Sequence, residues 1–170
     1  MAVCYSRLGR HHEALSMRRQ HLIGTAAIFG ETAGETFTCI INLTSSLTIL
    51  GATGEPKYLA EARSILRDAM PKARSALGSG ARATLMLNTA YAQALFADDG
   101  SSLEDLDEAE AVLKDSSRLA RQVLGAAHPQ TVTLVRMQEL NEIARKKMRA
   151  RALGYDVPSG PVTFEDSRAY

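Results

Sequence analysis

Three glycines set the frame of this chain. Gly30, Gly78 and Gly125 lie 48 and then 47 residues apart, and Thr36, Thr84 and Thr131 repeat those intervals. So do the Glu-Ala pairs Glu13-Ala14, Glu61-Ala62 and Glu108-Ala109. Three independent markers with one period define an internal repeat, and a period of this length restricts the fold to units that stack along an axis. Each glycine sits in a turn: Phe29-Gly-Glu-Thr-Ala-Gly-Glu-Thr36, Leu77-Gly-Ser-Gly-Ala-Arg-Ala-Thr84 and Leu124-Gly-Ala-Ala-His-Pro-Gln-Thr131.

Between the turns the apolar residues recur at helical spacing, and no Val/Ile/Tyr alternation argues for a strand. The expectation is an all-α, right-handed superhelix of about three helix pairs plus end pieces. Residues 11–28 carry Ala14, Leu15, Leu22, Ala26 and Ile28 on one face. Residues 35–50 carry Phe37, Ile40, Ile41, Thr44, Leu47 and Leu50, with Gly51 as the stop. The helix over 57–77 holds Pro71, which removes a backbone donor at a cost of about 3 kcal/mol and is expected to kink the helix near Met70. Residues 81–96 turn Leu85, Tyr91, Ala92 and Leu95 inward. The spacing Ser101-Ser-Leu-Glu104 reads as a capping box, opening a helix with Leu106, Ala109, Leu113, Ser116, Ala120 and Val123 inside. The last helix, 129–151, is charged as the outer face of a terminal cap should be.

Residues 1–152 are thus expected to form one repeat domain and 153–170 an irregular tail. Residues 2–8, ended by Gly9, resemble the last half of a helix, so the first repeat reads as truncated: either the natural chain begins inside a repeat or, the favoured reading, this is a piece of something longer.

Lys and Arg total 20 against 19 Asp and Glu, which argues against a dedicated nucleic-acid or anionic-membrane partner. No apolar run is long enough to span a bilayer, and the start lacks the pattern of a secretory signal. Cys4 and Cys39 then read as reduced thiols of a cytoplasmic protein. His11, His12 and His21 miss the i, i+3 or i+4 spacing of a metal site on one helix face. His128 is expected to set its turn by hydrogen bonding, not to act as a catalyst. Gly51-Ala-Thr-Gly54 and Gly78-Ser-Gly80 lack the Lys-Ser/Thr of a phosphate loop. The sequon Asn42-Leu-Thr44 falls inside a helix, and the run Arg145–Arg151 reads as a solvated face. No catalytic, cofactor or metal residue is assigned.

The turn Leu124–Thr131, with Asn42-Leu43 and the Glu-Ala pairs, resembles the tetratricopeptide repeat of the kinesin light chain type, over roughly residues 5–150. The first two turns lack the His-Pro of that motif, and no heptad coiled coil accompanies the repeats. The resemblance implies a non-catalytic scaffold that binds a peptide or protein segment in a concave groove. The expected groove residues are Thr38, Asn42, Ser45, Thr89, Gln93, Thr133 and Arg136, although several of these hydroxyls could instead serve helix packing. Two further roles stay open: a kinesin-light-chain-like cargo adaptor, which needs a coiled coil, and a fixed structural subunit of a larger complex.

Overall fold

The computed structural model describes residues 10–97 and 100–155. The reading of residues 2–8 as a helix, Cys4, and the tail beyond Tyr155 lie outside them. Six helices occupy the described residues: α1 (His11–Phe29), α2 (Gly34–Ala52), α3 (Lys57–Leu77), α4 (Arg82–Leu95), α5 (Leu103–Leu124) and α6 (Pro129–Ala152), with no strand among them.

The three turns between outer and inner helices are built alike. Gly30, Gly78 and Gly125 have φ of 90°, 93° and 90° with ψ of 159°, 156° and 160°. That region is essentially closed to side chains, which is why glycine recurs. Each glycine amide closes the preceding helix on the carbonyl four residues back (Ala26, Arg74 and Arg121). Each glycine carbonyl then accepts the hydroxyl of the threonine six residues on, at 2.7 Å from Thr36, 2.9 Å from Thr84 and 2.8 Å from Thr131. The repeat visible in the sequence is therefore a repeated hydrogen-bonding device. In the third turn His128 adds a cap, its Nδ1 accepting from the Gln130 amide at 3.1 Å, with Pro129 at the first helical position where a missing donor is harmless.

Successive helices pack against each other all along the chain, and α4 also packs against α2 and α6. No close backbone approach joins α1 to α3 or α3 to α5. The molecule thus has an inner layer of α2, α4 and α6 packed side by side, and an outer layer of α1, α3 and α5 set further apart. The Glu-Ala pairs explain the close seating of the outer helices: Ala14, Ala62 and Ala109 are completely buried. A methyl there lets the neighbouring inner helix approach, and two of the preceding glutamates, Glu61 and Glu108, reach across to Arg19 and Arg67 of the adjoining outer helices. The core continues through Phe37, Leu47, Leu66, Leu85, Tyr91, Leu106, Leu113 and Leu134.

Several local expectations need correction. Gly51 does not stop α2; the helix continues to Ala52, and a Cβ on Gly51 would stand 2.3 Å from Leu59 Cγ. Glycine is needed there because α3 crosses against it, and the positive φ falls at Gly54 instead. The capping box is Ser102 with Asp105, one residue later than the spacing suggested. Ser101 is buried and bonds the Leu95 carbonyl at 2.6 Å, helping close α4. Ile28 is 76% and Val123 60% exposed, so neither completes its helix's buried stripe; Thr25 is buried on α1 instead. The run from Arg145 is not simply solvated either, since Arg145 ties α6 to Asp107 and Glu110 of α5. By contrast, α3 runs from Lys57 to Leu77 through Pro71 without a chain reversal, as the unbroken apolar register implies, and Pro71 lies on its exposed side.

Candidate functional site

The inner layer leaves an open cleft of about 300 Å³ where α2, α4 and α6 meet. Ile41 of α2, with Met86 and Ala90 of α4, makes its apolar floor, and Arg82, Thr89, Gln93, Pro129, Gln130 and Thr133 line the rest. Helical periodicity places these groups together: Arg82, Met86, Thr89 or Ala90, and Gln93 recur every three or four residues on one face of α4. They face away from Leu85, Leu87, Asn88, Tyr91, Ala92 and Leu95, which are buried.

Of the seven residues expected from the sequence, the cleft brings together Thr89, Gln93 and Thr133. Thr38, Asn42 and Ser45 lie on α2 around Ile41, the only α2 residue lining the cleft. Arg136 is exposed on α6 and lies beyond the lining residues. The hydroxyls are engaged with their own helices: Thr38 with the Gly34 carbonyl, Ser45 with Ile41, Thr89 with Leu85 and Thr133 with Pro129, at 2.9, 2.7, 2.8 and 2.9 Å. Each hydroxyl proton is thereby committed, so toward a ligand these side chains offer acceptor lone pairs. Donors in the cleft come from the Arg82 guanidinium and the Gln93 and Gln130 amides. Asn42 has an exposed side chain, while its carbonyl receives Arg18 Nη1, which also bonds Ser46 Oγ. Burial lowers the Arg18 pKa from its ordinary value.

Sequence reasoning missed Arg82, Met86, Gln130 and the apolar floor. Arg82 precedes the repeat threonine and lay outside the face chosen, and Met86 reads as one more core residue until its half-exposed position is seen. The cleft's charge is one-sided. Arg82 is the sole charged residue lining it, and the first turns of both α4 and α6 open onto it, adding the positive ends of two helix dipoles.

The histidines fall elsewhere. His12 contacts Glu55 at 3.2 Å and the Tyr58 hydroxyl at 3.4 Å, and His21 Nδ1 lies 3.4 Å from Cys39 Sγ. Among the described residues no three His, Cys, Asp or Glu side chains gather as a metal site, and no helix is long and apolar enough to cross a membrane.

Residues 101–130, which comprise the start of α5, the whole of that helix and the turn into α6, match the tetratricopeptide repeat family. The chain therefore carries a repeat of the class that generally mediates protein–protein interaction, in an all-helical solenoid of the same kind. No curated protein matches the chain significantly.

Proposed function

With a tetratricopeptide repeat as the premise, we propose that the chain is a non-catalytic scaffold that binds a protein segment in the trough of its inner layer. The observation carrying this reading is the cleft between α2, α4 and α6, whose apolar floor is bordered by Arg82, Gln93, Gln130 and Thr133. Such a surface accepts an apolar side chain on Met86, Ala90 and Ile41, with a neighbouring carboxylate directed at Arg82 and the two helix N-termini. Threonine lone pairs accept from the backbone amides of the segment. Thr38, Asn42, Ser45 and Arg136 extend the contact along α2 and α6. The Leu-Gly-Ala-Ala-His-Pro-Gln-Thr turn favours the kinesin light chain type within the class, and so a cargo-type protein partner.

A peptide display library panned against the chain tests this. Enriched peptides are expected to pair an apolar with an acidic residue. Met86→Asp is expected to weaken their binding at least tenfold, about 1.4 kcal/mol, and Asn42→Ala with Gln93→Ala to weaken it further. Binding that none of these substitutions disturbs removes the groove assignment.

A further inference from the structure

The outer helices reach one another through a regular pair of contacts. Arg19 of α1 binds Glu61 of α3 at 2.6 Å, and Arg67 of α3 meets Glu108 of α5 at 3.7 Å. These are the same repeat positions, since Arg19 and Arg67 lie 48 residues apart and Glu61 and Glu108 lie 47 apart. The next cation in the series is Lys114 of α5, which forms no ion pair among the described residues. It borders a second cleft of about 240 Å³ with Glu110 of α5 and Gln138, Asn141, Glu142 and Arg145 of α6. Asn141 is 2% exposed and its Oδ1 has no hydrogen-bond partner. The corresponding groove one repeat earlier, between α3 and α4, is filled by α5. There Tyr91 donates to Glu108 at 2.7 Å and Arg63 meets Asp105 at 3.6 Å.

A second contact accompanies the first. Val123, near the end of α5, stands over Gly80 in the α3–α4 turn, its Cγ2 3.0 Å from where a Cβ on Gly80 would be. The residue one repeat beyond Gly80 is Ala127, exposed in the α5–α6 turn. At the opposite end, the residue two repeats before Val123 is Ile28 of α1, 76% exposed beside Phe29 at 58%.

We propose that these two ends mate, the α1 end of one copy seating on the α5–α6 end of a second copy of this chain. The register agrees at both points. Glu108 and Val123 are 15 residues apart on α5, and Glu13 and Ile28 are 15 apart on α1. Their receivers Arg67 and Gly80 are 13 apart, and so are Lys114 and Ala127. A copy placed by the molecule's own repeat geometry thus brings Glu13 to Lys114 and Ile28 over Ala127, where the Ala127 Cβ, absent at Gly80, makes the incoming helix give by a few tenths of an ångström. Glu13, now paired with exposed Arg10 at 2.5 Å, exchanges one surface partner for another. The α1 of the incoming copy is an outer helix, and α6 is an inner helix whose following outer helix is absent among the described residues. The sequence beyond Tyr155 holds Pro158 and Pro161, residues that a helix interior disfavours, whereas α1 carries both contacts on one continuous helix. The contact is heterologous, so copies add in one direction without closing into a symmetric pair.

Sedimentation of the full chain, with helical content checked by circular dichroism, decides the matter. The mass of the wild-type chain is expected to rise with concentration beyond two copies. Ile28→Asp and Ala127→Glu, both at exposed positions, are each expected to remain monomeric alone and to form a one-to-one dimer when mixed, because each keeps one intact end. Glu13→Lys is expected to weaken association several-fold, and adding Lys114→Glu to the same chain to restore it. A wild-type chain that stays monomeric throughout overturns the proposal. So does association retained by both single variants, or mixing that restores nothing. Association that appears only after residues 1–9 or 156–170 are removed also overturns it, by assigning the ends to those segments.

Discussion

At Gly125 the backbone holds φ 90° and ψ 160°, and a Cβ added there would meet nothing within 4 Å. Gly125→Ala is therefore expected to cost only the backbone strain, about 1–3 kcal/mol, with Gly30→Ala and Gly78→Ala behaving alike; urea unfolding measures it. Gly51→Ala must fail for a different reason. The strain there is steric, against Leu59 Cγ and a Leu59 backbone nitrogen 2.9 Å away. Overpacking of this kind costs about 1–3 kcal/mol, and Leu59→Ala is expected to relieve part of it, a coupling that a double-mutant cycle reads directly. The sequence distinguishes these glycines poorly. Gly30, Gly78 and Gly125 declare themselves by recurring, whereas Gly51 follows a helix and looks like its stop. Only the crossing of α3 over α2 reveals what the missing side chain is for.

Among the elements, α3, α4 and α5 are joined by Tyr91. Its ring is completely buried, its hydroxyl accepts from Arg67 Nε at 3.0 Å and Nη2 at 2.7 Å, and it donates to Glu108. Burial, followed by the bond to Glu108, raises the phenol pKa above its usual value of about 10. A raised acid pKa in the folded state means that the neutral phenol is the stabilised form. Its contribution is fully present below the unfolded value and is lost as pH rises through the folded one. Tyr91→Phe is expected to cost about 1–3 kcal/mol at neutral pH and to flatten the loss of stability above pH ~10 that the wild-type chain shows in alkaline unfolding titrations. The helices themselves were legible to within a few residues, because periodicity and turn glycines bound each one. Their ends were less so. Ser101 and Ser102 carry the same hydroxyl one position apart, and only the carbonyl of Leu95 beside Ser101 decides which of them caps α5. Val123 and Ile28 share the apolar character of a core stripe, yet they sit where a helix leaves the layer it packs on.

For the whole molecule, each unit leans on its neighbours, so stability should fall from the middle outward. Helix α4 packs against α2, α3, α5 and α6, while among the described helices α1 makes close backbone contact with α2 alone. Amide exchange is expected to be slowest in α4 and fastest in α1, and uniform protection across all six helices would contradict this nearest-neighbour picture. The architecture was readable at this scale from the 47- and 48-residue spacings. The groove was readable only in outline. Counting from the repeat threonine finds Thr89, Gln93 and Thr133, but not Arg82 or Met86, whose part depends on how far α4 stands between α2 and α6. The spacing of the outer helices has a mechanical consequence of its own. Inner helices pack directly on one another, while the outer ones are tied by long side chains such as Arg19–Glu61. Lengthening those tethers therefore curls the stack more tightly while the inner layer stays shut, whereas straightening it must part inner helices and expose surface now buried between them.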